Sequence, residues 1–206
     1  MSLIDNYFKE NNKNITFLEL KENTFVEINK FILKEDLPLP IITDNLIKEI
    51  YTGNLENEIN VSQIIDGIIY LIGVDNDFPY MDQYMEILDA YSHNIKDYIY
   101  QKAIKKISEG DIDFGGIFLR ALIFLDTENL NARFNYALVL EEIGRKYIEN
   151  NDEKGEAFLT SSTNELETIL EIDEKYSLAY YKLGFHYKYF EQYIKAKLTW
   201  NKFLII

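Results

Sequence analysis

The sequence predicts an all-α fold, built from antiparallel helix pairs stacked along one axis behind a divergent N-terminal segment. Three observations lead there. Apolar residues make up 47% of the 206 residues, yet only three prolines and nine glycines interrupt them. That composition supports a large core in long helices rather than a turn-rich β fold. From Thr43 onward, apolar residues recur at helical spacing in one segment after another. Small residues also return at a fixed interval. Ala103 and Ala137 are 34 positions apart, as are Gly110 and Gly144, and each alanine sits seven positions before its glycine. A small residue where two helices cross, followed by a glycine that ends the first helix, is the pattern of a stacked helix pair.

Taken in order, residues 2–11 predict a short helix with Leu3, Ile4, Tyr7 and Phe8 on one face. Residues 15–33 read two ways. "ITFLEL" and "TFVEIN" alternate partly like strands, with Lys21-Glu22-Asn23 as a hairpin turn, but a helix fits the same letters. "DLPLPI" (Asp36 to Ile41) is expected to be extended, because proline biases its predecessor away from the helical region. Thr43 is expected to cap a helix running to about Tyr51 and stopping near Gly53. Asn60, with Gln63 three residues on, forms a capping-box start for the next. Pro79 marks another start, Asn94 a further one, and helices then follow to the final "YIKAKLTWNKFLII". The expected division is a capping segment or small module over 1–58 and a helical repeat domain over 59–206.

The last segment makes the repeat specific. Tyr180-x2-Leu183-Gly184-x2-Tyr187 is followed by Ala196-x3-Trp200. This resembles the tetratricopeptide repeat, with its Trp-x2-Leu-Gly-x2-Tyr start and later Ala-x3-Phe. Tyr180 takes the place of the first aromatic and Trp200 that of the later one. Glu174 and Thr127 stand where the family's inter-repeat proline falls. The register implies repeats over 96–129, 130–176 and 177–206, and a degenerate pair over 59–95 in which Gly67 precedes Ala103 by 36 positions. Ala103 with Gly115, and Ala137 with Ser162, are then the small crossing residues. Ala137 to Gly184 spans 47 positions, 13 more than one period, so both helices of the middle pair are expected to be about two turns longer and to jut beyond their neighbours. The resemblance implies a right-handed solenoid whose pairs share one continuous core. The chain closes on Phe203-Leu204-Ile205-Ile206 with no polar capping helix, so a continuing array is the favoured expectation, and docking of these residues the other.

Catalytic and metal chemistry find little support. Asp111 and Asp113 precede Gly115-Gly116 and suggest a calcium loop, but the twelfth position from Asp111 is Leu122 where a bidentate glutamate belongs. No strand precedes the glycines, which argues against a phosphate cradle. There is no cysteine, and His93 and His186 stand without a nucleophile or acid partner in the sequence. A non-catalytic scaffold with neither metal nor cofactor is expected. The net charge of −14 disfavours nucleic acid. No apolar run approaches the ~20 residues that span a bilayer, so a cytoplasmic protein is expected.

In the family that the repeat resembles, the first helix of each pair lines a concave groove that holds an extended or helical peptide. Carried over by register, the groove here comprises Tyr100, Gln101 and Ile104, then Phe134, Asn135 and Leu138, then Tyr181, Lys182 and Phe185. The resemblance implies that Asn135 holds a ligand's backbone and Lys182 meets a carboxylate. Tyr100, Ile104 and Leu178 occupy positions where chaperone-tail-binding members carry clamp residues, so that narrower function is not implied. Residues 139–174 carry a net −8 and residues 175–206 a net +5, and the basic end would attract an acidic peptide or protein. Two other functions stay open: a sensor of a small signalling peptide, or the interaction part of a larger enzyme or complex. Sensors of that kind often carry a DNA-binding helix-turn-helix, and residues 43–72 offer phosphate only Lys48.

Overall fold

The structure, a computed structural model, describes residues 2–22, 26–29, 31–33, 36–52 and 60–206. Helix dominates. α1 (Leu3–Lys9) runs into a 3-10 turn (Glu10–Asn14), then come the short strands β1 (Ile15–Leu18), β2 (Glu27–Ile28), β3 (Phe31–Ile32) and β4 (Leu39–Ile42). Among the described residues nine more helices follow: α2 (Thr43–Thr52), α3 (Val61–Val74), α4 (Met81–Tyr91), α5 (Ile95–Ser108), α6 (Ile112–Leu125), α7 (Leu130–Glu149), α8 (Lys154–Ile172), α9 (Ser177–Tyr189) and α10 (Tyr193–Phe203). No helix among the described residues is long and apolar enough to cross a membrane. The expected helix stop at Gly53 and the boundary between 58 and 59 lie outside the described residues, as does Asn23 of the expected hairpin turn.

The N-terminal segment resolves the two-way reading of residues 15–33. β1 pairs antiparallel not with its sequence neighbour but with β4, in the register Ile15↔Ile42 to Leu18↔Leu39. β2 and β3 form their own small ladder. Of the proline-bearing stretch, Leu39 onward is a strand as expected, after a turn at Asp36 and a bend at Leu37; its strand residues are buried, with Ile41 fully so. They lie on α3, and the approach is close enough to dictate a residue type. A Cβ at Gly67 would overlap the Pro40 carbonyl. The small residue expected at a helix–helix crossing therefore serves a helix–strand contact, and α3 packs chiefly against α6 and β4 rather than against α4.

α1 starts in a reciprocal capping box. The Ser2 hydroxyl accepts from the Asp5 amide at 3.0 Å, and the Asp5 carboxylate accepts from the Ser2 amide. The helix buries Ile4 and Phe8, leaving Leu3 exposed. Asp5 reaches further, to Arg120 of α6 at 3.0 Å. That guanidinium also donates to the Gly73 carbonyl (2.9 Å) and the Tyr136 hydroxyl (3.0 Å), and it lies over the Phe8 ring at 4.8 Å. One side chain thus joins α1, α3, α6 and α7. Burial works against the charge of Arg120, and the Tyr136 and Asp5 contacts outweigh it.

The later helices form three antiparallel pairs. In α5–α6, Gly115 rests on Ala103, which is fully buried. In α7–α8, the Ser162 hydroxyl donates to the Ala137 carbonyl at 2.7 Å, so a crossing of small residues is also a hydrogen bond. In α9–α10, Gly184 lies under the Trp200 indole, and a Cβ there would overlap the ring. α7 and α8 have 20 and 19 residues against 14 in each of α5 and α6, so the extension is about a turn and a half per helix rather than two. It does not jut free. Tyr7 of α1 packs edge-on against Phe158 at 5.0 Å, and Tyr147 stacks on the same ring. The calcium-loop aspartates have structural partners here too. Asp111 caps α6 at the Phe114 amide (3.3 Å), and Asp113 accepts from the Tyr7 hydroxyl (2.6 Å).

Among the described residues, most buried apolar side chains fall into two clusters. The larger runs from Ile4 through β4 and α3 to Phe158, so the described residues of α1, β2 and β4 share their core with the helices. The smaller joins Ala137, Leu166 and Ile169 to Ala179, Leu183, Tyr187 and Ala196.

Gly67→Ala tests the α3–β4 contact. Helix propensity alone makes Ala better than Gly by ~1 kcal/mol, whereas overpacking a core costs about 1–3 kcal/mol, and backbone rather than a movable side chain is in the way. Urea unfolding is expected to show the variant less stable by about 2 kcal/mol. A variant more stable than the parent would mean that β4 does not approach α3 this closely.

Candidate functional site

The nine residues expected to line a groove fall into three sets, on α5, α7 and α9, and their surroundings differ. On α5, Gln101 is exposed and Tyr100 and Ile104 are half-buried. On α7, Phe134, Asn135 and Leu138 are all half-buried. The two sets meet, since Asn135 donates one amide hydrogen to the Tyr100 hydroxyl at 3.2 Å and the other to the Asn131 carbonyl at 2.9 Å. The donors expected to hold a ligand's backbone are thus engaged inside the chain. Phe134 packs on Tyr176, 5.5 Å between ring centres, in the turn before α9. Its ring belongs to the smaller core cluster.

α9 presents a different surface. Leu178, Tyr181, Phe185 and Tyr189 follow one another at spacings of three and four along one face, and are 50%, 43%, 48% and 45% exposed. The inward face of the same helix buries Ala179, Tyr180, Leu183, Gly184 and Tyr187. The exposed rings are held from behind. Tyr181 meets Phe185 at 5.1 Å and Phe203 at 5.4 Å, and Phe185 meets Trp200 at 5.1 Å, edge to face. The Trp200 indole N–H donates to the Tyr181 carbonyl at 3.3 Å. Gly184 is what lets Trp200 lie so close. Rings that are half in water yet locked in place form a preorganised apolar contact surface. Lys188 lies three residues beyond Phe185 on the same face, exposed. It and Tyr189 are absent from the set carried over by register, although their spacing from Tyr181 and Phe185 was readable as a face.

Lys182 lies at the edge of this face and does not point its charge to solvent. Its ammonium reaches both oxygens of Glu141 on α7, at 2.9 and 2.6 Å. Glu141 also faces His186, whose Nε2 is 3.4 Å away. His186 is buried, with Nδ1 2.9 Å from the Thr163 hydroxyl. That hydroxyl donates to the Leu159 carbonyl at 2.8 Å. The cluster ties α7, α8 and α9 together. It lines up a hydroxyl, an imidazole and a carboxylate, but the Thr163 proton is committed to the backbone and the side chain is buried, so no substrate reaches it. Burial alone would raise the Glu141 carboxyl; the contacts from His186 and Lys182 outweigh it and hold the group at about 2. Among the described residues, no three His, Asp or Glu side chains gather as ligands for a metal ion.

A cavity of about 290 Å³ lies between Tyr7, Asp111 and Asp113 on one side and Lys146, Tyr147 and Asn150 on the other. A second, open groove of about 590 Å³ lies between α8 and α10. No protein-family model matches the chain, and no curated protein matches it.

Glu141 sets a pH signature. A carboxyl held low in the fold stabilises it above its ordinary value of 4.5, and that contribution is lost as pH falls from there towards about 2. Urea titrations of the parent and Glu141→Gln are expected to show a stability gap at neutral pH that closes across this window. A gap unchanged between neutral pH and the bottom of the window would show that Lys182 and His186 do not hold the carboxylate.

Proposed function

We propose that this protein is a non-catalytic scaffold that binds a peptide or protein segment on the aromatic face of α9. The observation that carries the reading is the row Leu178, Tyr181, Phe185 and Tyr189, half-exposed and braced by Trp200 and Phe203. Contiguous exposed apolar surface on a folded chain marks an interaction site, and rigid aromatic anchors dominate interface energetics. The three helix pairs, with small residues at their crossings, support a tetratricopeptide-like right-handed solenoid as the scaffold, with α5, α7 and α9 lining its concave side. A cytoplasmic setting suits such a scaffold.

The set of binding residues is narrower than the register implied. Tyr181 and Phe185 are its centre, Leu178 and Tyr189 extend it, and Lys188 supplies the charge that Lys182 spends on Glu141. Tyr100, Gln101, Ile104, Phe134, Asn135 and Leu138 form the continuation of the groove, where the Tyr100–Asn135 contact must open before the amide of Asn135 can hold a peptide. An acidic peptide with bulky apolar residues is the ligand that this surface favours.

Display selection of random peptides on the immobilised full chain tests the reading. Selected peptides are expected to be rich in aromatic and acidic residues. Tyr181→Ala and Phe185→Ala are each expected to cost about 2 kcal/mol of binding, a roughly thirtyfold loss of affinity, with helical circular dichroism unchanged. Enriched peptides that bind the double variant as tightly as the parent would place the site elsewhere, and no enrichment would remove the proposal.

A further inference from the structure

The groove between α8 and α10 lies on the other side of α9 from the aromatic row. α9 turns Tyr180, Leu183 and Tyr187 towards it and Tyr181 and Phe185 away. Its two walls differ in sign. α8 and the turn after it contribute Glu167, Glu171 and Glu174, while α10 contributes Lys195 and Lys202. Glu167 is answered within the chain, by Lys195 at 2.9 Å and the Tyr187 hydroxyl at 2.6 Å. Among the described residues, Glu171 and Glu174 have no ion-pair partner. The apolar floor and these two carboxylates fit an apolar ridge flanked by cations.

α10 itself carries such a ridge. Ile194 and Leu198 stand one turn apart on it, 80% and 61% exposed, with Lys195 and Lys202 alongside. We propose that the groove seats a second copy of this chain, with α10 of each copy in the groove of the other. A patch with one acidic wall, one basic wall and an apolar centre is complementary to itself under a two-fold rotation, which is the condition for an isologous dimer. The rotation sets Leu198 against its counterpart near the axis. It also sets Lys202 of each copy against Glu171 and Glu174 of the other, so every charge contact occurs twice. The overall net charge of −14 opposes association, but salt screens charges beyond ~8 Å at physiological ionic strength. The contact itself joins a segment of net +5 to one of net −8. The dimer leaves the face of α9 free, so it stands apart from the peptide-binding proposal.

Sedimentation of the full chain over a range of concentrations tests this. The parent is expected to form a dimer that weakens as salt is raised. Leu198→Glu is expected to be monomeric, and Lys202→Glu and Glu174→Lys each to weaken the dimer at least tenfold. All three positions are exposed, and circular dichroism checks that each variant folds. The decisive arm is an equimolar mixture of Lys202→Glu with Glu174→Lys, in which one cross-copy charge pair is restored with reversed sign, the other keeps its native sign, and the dimer returns. A parent that is monomeric at every concentration overturns the proposal, as does a dimer indifferent to the reversals or a mixture that stays monomeric. A groove meant for another protein's helix or a small ligand would give the first of these results.

Discussion

The guanidinium of Arg120 joins parts of the chain that are distant in sequence. It donates to a carboxylate on α1, a carbonyl at the end of α3 and a hydroxyl on α7, and it covers the ring of Phe8. Planarity matters here, because a forked donor serves three acceptors at fixed angles where a lysine would offer one point charge. A charge this enclosed is stable only while its partners stay. Each of those segments is therefore held in one place relative to α6, and the short first helix becomes part of the main core rather than a loose leader. Tyr7, positioned by the same helix, then covers the extended ends of α7 and α8 at Tyr147 and Phe158.

The same device recurs along the stack with different groups. Asp66 of α3 is nearly buried and is met by Lys102 and by the Tyr98 hydroxyl at 2.7 Å, both on α5. Arg133 of α7 meets Glu165 of α8 at 2.6 Å. Glu141 gathers Lys182 and His186 from α9. Apolar packing between helices is tolerant of small slides, since one leucine can replace another against a smooth face. A buried ion pair is not tolerant, because displacement leaves a charge without its partner. Small residues set how close the pairs approach, and the polar contacts set the register in which they do so.

What was legible in the sequence follows from the range of the interactions. Helix positions and the pairs Ala103–Gly115 and Ala137–Ser162 could be read because periodicity and local caps leave a mark within a few turns. The pairing of β1 with β4 could not, since alternation shows that a segment suits a strand but not which strand it meets. Gly67 was recognised as a position needing a small residue, yet the letter does not say whether helix or strand approaches it. In the site, Tyr181 and Phe185 were placed on an open face by register alone. Lys182 reads from the sequence as meeting a ligand's carboxylate, because Glu141 lies 41 positions away and only the fold brings the two together. The Asn135 amide is engaged by Tyr100 across 35 positions, a contact that only the fold makes.

The division of the core into two clusters gives the stack an uneven mechanical character. The larger cluster ties β4, α1 and most of α3 to α8 into one body, while α9 and α10 rest on the smaller one. Opening free energy tracks the apolar contact that must be broken, so the α9–α10 pair is expected to open at lower cost than the main body. The chain's one tryptophan, Trp200, sits in that pair, and its emission therefore reports the pair's opening separately from the loss of the main body. A ligand on the proposed α9 face would add its binding energy to the resistance of this pair to local unfolding.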